Sequence, residues 1–156
     1  ASVDEGGIRT PAIVRWPGHV PAGVKLDQPV PIIDLFPTIC AALALSLPAE
    51  VRLDGTNQWP AIAAGKPMPR PAFLVASADI ALFDGDWKLI ETNAGQRSLY
   101  NLRTDPSESK DLLASQGELA AKLGAQLVLL KRELPAYDGG PIGPGGGKGG
   151  KGKGKK

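Results

Sequence analysis

Ile80-Ala81-Leu82-Phe83-Asp84-Gly85-Asp86-Trp87-Lys88-Leu89-Ile90-Glu91 decides the fold of the second half of this chain. Two short apolar runs, residues 80–83 and 87–91, flank Asp84-Gly85, a turn signal because glycine reaches the positive φ that a tight hairpin needs. Working outward, a further run at 72–76 precedes them, and one at 98–102 follows the turn signal Asn93-Ala94-Gly95. The four runs predict a small antiparallel meander. Side chains alternate along a strand, which places Trp87 and Leu89 on one face and Lys88 on the other. Trp87 is then expected to anchor the sheet, and Lys88 to matter little for stability.

Downstream, Ser115-Gln116-Gly117-Glu118 has the pattern of a capping box. Leu119, Leu123, Leu127, Leu130 and Leu134 recur at helical spacing and predict a helix across one sheet face. Asp105-Pro106 predicts a tight turn whose Asp side chain caps its own backbone. Upstream, residues 12–16 predict a short strand ended by Pro17-Gly18. A loop follows, and then Asp34 as the cap of a helix from Leu35 to Leu45 that is apolar on nearly every side. Leu53-Asp54-Gly55 is turn-like, and residues 60–71, with four prolines, predict an irregular boundary near residue 68. The expected division is 1–67, 68–138 and 139–156. Residues 1–66 carry apolar surface that needs cover from elsewhere.

The last segment, 139–156, holds ten Gly and five Lys and no acid, too little apolar surface to offset the entropy of ordering. It is expected to be a disordered tail. The whole chain of 156 residues has 18 basic and 16 acidic groups, net +2; without the five tail lysines the body has 13 against 16, net −3. A basic tail meets polyanions nonspecifically. Glycine and lysine without Arg or an aromatic give no means of stacking a base, so no specific nucleic acid is implied. No stretch reaches the roughly 20 apolar residues of a membrane span. Cys40, the single cysteine, sits in an apolar run and reads as a small buried residue. His19, the single histidine, has no partner nearby in sequence for acid-base or metal chemistry and reads as a surface residue.

The chain begins close to Glu5-Gly6-Gly7-Ile8-Arg9-Thr10-Pro11, followed by Ala12-Ile13-Val14-Arg15-Trp16-Pro17-Gly18. The two glycines permit close backbone approach, Arg9 can grip an anion bidentately, and Glu5 and Arg9 can equally tie the loop to its domain. The whole string resembles the Glu-Gly-Gly-x-Arg-x-Pro segment of the type I sulfatases, of the alkaline-phosphatase superfamily. Four further strings extend the resemblance. Ile33-Asp34-Leu35-Phe36-Pro37-Thr38-Ile39 is similar to the family's Asp-Leu-x-Pro-Thr helix start, and Leu53-Asp54-Gly55-Thr56-Asn57-Gln58-Trp59-Pro60 to its Leu-Asp-Gly segment. Gly85-Asp86-Trp87-Lys88-Leu89-Ile90 and Leu99-Tyr100-Asn101-Leu102-Arg103-Thr104-Asp105-Pro106-Ser107-Glu108 are similar to the strands and turn of its C-terminal subdomain.

The resemblance implies an α/β parent fold, α+β within this chain: the end of an alkaline-phosphatase-like sulfatase domain, then a four-stranded antiparallel sheet packed with a C-terminal helix. It implies hydrolysis of sulfate esters, with sulfated carbohydrate as the substrate class considered, by a formylglycine and Ca²⁺ or Mg²⁺. The formylglycine motif Cys/Ser-x-Pro-x-Arg does not occur in these residues, and Asp4-Glu5 alone is no oxygen-ligand site. Catalytic and metal residues are therefore expected in a preceding N-terminal part, the principal partner of this chain, and the chain alone is expected to be inactive. Glu5 and Arg9 are the candidates here, as substrate-side or loop-supporting groups. The family implies a periplasmic or secreted setting. Two other classes stay open: a noncatalytic module binding polyanion or carbohydrate, and a phosphate-ester or phosphonate hydrolase of the same superfamily.

Overall fold

The computed structural model describes residues 2–47, 50 and 52–134; the tail expected over 139–156 lies outside them. The elements are α1 (Glu5–Ile8), a 3₁₀ turn (Ile32–Asp34), α2 (Leu35–Ala42), α3 (Trp59–Ala64), β1 (Phe73–Ala76), β2 (Ile80–Asp84), β3 (Trp87–Glu91), β4 (Arg97–Asn101) and α4 (Gly117–Lys131). The strands form one sheet in the order β1-β2-β3-β4. Connections of two to five residues leave no room for a parallel crossover, so the sheet is the antiparallel meander read from the sequence. Gly85, at φ 57°, opens the two-residue turn between β2 and β3, the place a type II′ turn reserves for glycine.

The described residues fall into two compact units. The first takes the residues up to Ile8, Leu74–Leu82 and those from Lys88 onward; the second takes Arg9–Phe73 and Phe83–Trp87.

In the first unit Leu82, Leu89 and Leu99 from the strands and Leu123 and Leu127 from α4 are buried. Each such side chain contributes about 1.5–3 kcal/mol on leaving water. Two leucines of the expected stripe thus sit in the core, while Leu134 lies beyond the helix end and is exposed. The capping box does not form: Gln116 is the N-cap and makes no side-chain cap bond, and the Ser115 hydroxyl donates back to the Leu112 carbonyl. Strand β4 is closed at Leu99, whose N–H donates to Asp111 Oδ1 and whose carbonyl accepts from Leu112 N. Those bonds satisfy backbone groups that an edge strand would otherwise expose. Asp105 caps its turn as expected, accepting from the N–H groups of Ser109 and Lys110, and these bonds hold its carboxyl below the usual range.

The second unit departs further from the sequence reading. Residues 12–16 form no strand, and Ile13 is 94 % exposed. A strand exists only with a hydrogen-bonded neighbour, and among the described residues the sheet is confined to β1 to β4. Helix α2 stops at Ala42 rather than Leu45 because the chain turns back in a Schellman motif: Leu45 N donates to Cys40 O and Ala44 N to Ala41 O, with Ala44 left-handed at φ 53°. Asp34 precedes α2 but makes no cap bond; its carboxylate is used elsewhere, as described below. The proline-rich stretch contains a helix the sequence reading missed, α3, with Pro60 in its first turn, where a lost N–H costs nothing, and Gly65 in the left-handed C-cap at φ 63°.

Candidate functional site

Glu5 opens α1, and its Oε1 lies 3.0 Å from Lys88 Nζ on β3. Glu108 completes the cluster: Oε1 is 2.6 Å from the same ammonium, and Oε2 accepts the Glu5 backbone N–H at 2.6 Å. The Lys88 side chain is fully buried, and those of Glu5 and Glu108 are nearly so. Glu108 adopts φ 55°, a left-handed conformation unusual for a residue with a side chain. Gly7 packs so close to Ser2 that an added Cβ would stand 3.0 Å from the Ser2 carbonyl oxygen, and Val3 beside it is buried.

This corrects the expectation for β3. Alternation does place Lys88 opposite Leu89 and Glu91, and Glu91 faces α4 through Lys131 Nζ at 2.6 Å. The Lys88 face is not solvent, however: α1 and the loop bearing Glu108 cover it, so Lys88, Leu89 and Ile90 are all buried. Trp87, expected as the anchor, is only half-buried. A lysine between two apolar strand residues looks like a solvated edge, and its two carboxylate partners stand 83 and 20 positions away. The one signal in sequence was that Glu5, Lys88 and Glu108 all fall inside the sulfatase-like strings.

Glu91 is also gripped by Arg97, with Nε to Oε2 at 2.8 Å. The Lys131 hydrogen bond first, and Arg97 after it, hold the Glu91 carboxyl below its ordinary value.

In the second unit Arg9 is exposed. The strings around Asp34 and Leu53 meet there through buried polar groups. Asp34 Oδ1 accepts from Thr56 N at 2.8 Å and from Arg70 Nη2 at 3.0 Å, and Thr38 Oγ1 accepts from Gln58 N at 2.8 Å. The Gln28 side chain joins Gln58 Oε1 to Met68 N. Gly55 is sterically required, since a Cβ there would lie 1.9 Å from the Ile33 carbonyl oxygen. The Arg70 guanidinium lies over the Phe73 ring at 4.1 Å, and Phe73 stacks on Phe83 at 4.7 Å. These contacts make the two strings a scaffold rather than a reactive surface.

His19 is exposed and stacks on Trp16 with centroids 4.2 Å apart, and Cys40 is a buried free thiol, both as read from the sequence. Among the described residues no three His, Cys, Asp or Glu side chains gather as metal ligands. Glu5 and Glu108 close on an ammonium, and the Asp4 carboxylate accepts from the Ser2 hydroxyl. Among the described residues this donor set does not fit Ca²⁺ or Mg²⁺. No helix among the described residues is long and apolar enough to cross a membrane.

No family model matches the chain. Curated relatives do. Human N-acetylgalactosamine-6-sulfatase is 45% identical over 69 residues, 44% of this chain and 13% of the relative. Human steryl-sulfatase is 43% identical over 56 residues, 36% of this chain and 10% of the relative. The crystal structure of Ps i-CgsB in complex with k-i-k-neocarrahexaose superposes with TM-score 0.64 at 31% identity, covering 73% of this chain and 27% of that one. A Bacteroides thetaiotaomicron structure solved in a study of the metabolism of multiple glycosaminoglycans shares the fold, with TM-score 0.54 at 22% identity over 64% of this chain and 24% of that one. These likenesses point to the alkaline-phosphatase/sulfatase superfamily of hydrolases. The chain spans about an eighth of the length of curated sulfatases such as the human N-acetylgalactosamine-6-sulfatase.

Proposed function

We propose that this chain is the C-terminal portion of a sulfuric-ester hydrolase acting on sulfated carbohydrate. The observation that carries the reading is the 45% identity over 69 residues with a sulfatase named for N-acetylgalactosamine 6-sulfate. The structure solved with a neocarrahexaose, at 31% identity, supports carbohydrate as the substrate class. In this reading residues 1–67 end the large domain, 68–138 form the small subdomain, and 139–156 are a tail. The nucleophile and the metal ligands belong to an N-terminal part, and the enzyme works in the periplasm or outside the cell.

Glu5 supports the loop through its pairing with buried Lys88, which holds the carboxylate away from acid-base work on a substrate. Arg9, being exposed, is the residue of the pair that can approach an anionic substrate group. The test assays the longer protein that carries this chain for sulfate release from an N-acetylgalactosamine 6-sulfate oligosaccharide, beside a phosphonate monoester, and titrates the chain alone with the same oligosaccharide. Sulfate release by the longer protein alone supports the reading. Hydrolysis of only the phosphonate, or saturable binding by the chain with no hydrolysis by the longer protein, overturns it in favour of one of the other two classes.

A further inference from the structure

The cluster of Lys88, Glu5 and Glu108 is an unusual way to stabilise a small sheet. Replacing a buried ion cluster with apolar side chains of similar volume is often neutral or stabilising, so such a cluster is weak evidence of a role in stability. Two further features of Glu108 set it apart from a chance pairing. Its carboxylate is divided, one oxygen on the Lys88 ammonium and the other on the Glu5 backbone N–H, so it fixes main chain as well as charge. It also does so from φ 55°, a conformation that a β-carbon disfavours and that persists only where the surroundings impose it. Glu5 and Glu108 therefore both converge on the first turn of α1, the Glu5-Gly6-Gly7 segment, whose two glycines have no side chains with which to hold themselves in place.

We infer that Lys88 and Glu108 are positioning residues: they lock the Glu5-Gly6-Gly7 backbone in one geometry for the hydrolase site, and the sheet needs neither of them in order to fold. The inference rests on the proposed function only for the word site. The clamp itself is a property of this chain. Lys88 supplies the charge that holds Glu5, while Glu108 aligns the Glu5 N–H, so removing either frees the segment by a different route.

The test has two arms. In the first, amide exchange is measured on the 156-residue chain for wild type, Lys88→Met, Glu108→Gln and the double variant Lys88→Met/Glu108→Leu, with thermal midpoints alongside. The double variant guards against simple misfolding, since it removes the buried ammonium together with the Glu108 carboxylate and leaves Glu5, at 11% the more exposed of the two carboxylates, as the one charge of the three. The clamp requires exchange at Glu5, Gly6 and Gly7 to rise at least about tenfold while the amides of Leu82, Leu89 and Leu99 keep their protection in the double variant. Unchanged exchange at Glu5 to Gly7, or an equal rise across the strands in the double variant, overturns it. In the second arm the longer protein is assayed: the same variants should lower kcat with KM little changed, and Lys88→Arg, which keeps the charge, should recover part of the loss. Equal kcat in Lys88→Met and wild type also overturns the inference. If the wild-type longer protein releases no sulfate, the functional reading fails, and the exchange arm still decides whether the clamp exists.

Discussion

Asp34→Ala gives the sharpest test of how the second unit is held. The carboxylate is fully buried, and its Oδ1 accepts from Thr56 N and Arg70 Nη2 at 2.8 and 3.0 Å. Truncation removes both bonds and leaves a guanidinium whose side chain is only 9% exposed without its carboxylate. Hydrogen bonds to charged groups are each worth about 1.5–3 kcal/mol, and breaking a buried pair by deleting one partner costs about 3–5 kcal/mol. The expected loss is therefore about 3–5 kcal/mol, a large part of the 5–15 kcal/mol typical of a whole domain. Asp34→Asn keeps an oxygen for Thr56 and loses the charge, so about 1.5–3 kcal/mol is expected. Asp34→Leu with Arg70→Met should recover most of the deficit by removing both charges. Urea titration followed by tryptophan emission reads this unit, since Trp16, Trp59 and Trp87 all belong to it. The exposed Asp54→Ala serves as control, with less than about 0.5 kcal/mol expected. Equal midpoints for Asp34→Ala and Asp54→Ala would refute the claim that Asp34 ties the unit together.

Three more outcomes are expected. Leu127→Ala, at a fully buried position of α4, should cost about 2–5 kcal/mol, and Leu129→Ala, 61% exposed on the same helix, well under 1, as read from helix ellipticity in denaturant. Ala44→Gly should raise stability by about 1 kcal/mol, because Ala44 holds the left-handed position of the α2 Schellman motif that Gly65 fills at the end of α3; no gain in thermal midpoint would mean the strain is not there. Glu91 has its folded pKa depressed below 4.5 by Lys131 and Arg97, so its stabilising contribution is complete above about pH 4.5 and is lost as pH falls through the folded value. The stability gap between wild type and Glu91→Gln should accordingly close on the acid side of pH 4.5; a gap unchanged down to pH 2 would show that the ion pairs contribute nothing.

The site was legible as residues but not as an arrangement. Glu5 and Arg9 stood out through their string, and Glu5 proved to be held at both its carboxylate and its backbone N–H. By local rules Lys88 lies on the strand face opposite Trp87 and Leu89 and Glu108 ends a turn string, and neither is a partner of Glu5 until a second layer is known to cover that strand face. The same limit explains Asp34: a carboxylate in front of an apolar helix is a cap by local rules, and only the return of Thr56 and Arg70 to that point gives it stronger donors.

Local chemistry in the sequence was enough to determine the meander, its hairpin at Gly85, the leucine face of α4 and the Asp105 turn, because each rests on neighbours within a few residues and on a period of 2 or 3.6. The tertiary structure decided what lies across from each face. It buried Lys88 under carboxylates 83 and 20 positions distant, left residues 12–16 without a strand partner among the described residues, and redirected Asp34 from its helix to the Arg70 guanidinium. Burial and charge pairing depend on groups far away in the chain, and a side chain's environment, unlike its periodicity, is set only when those groups arrive.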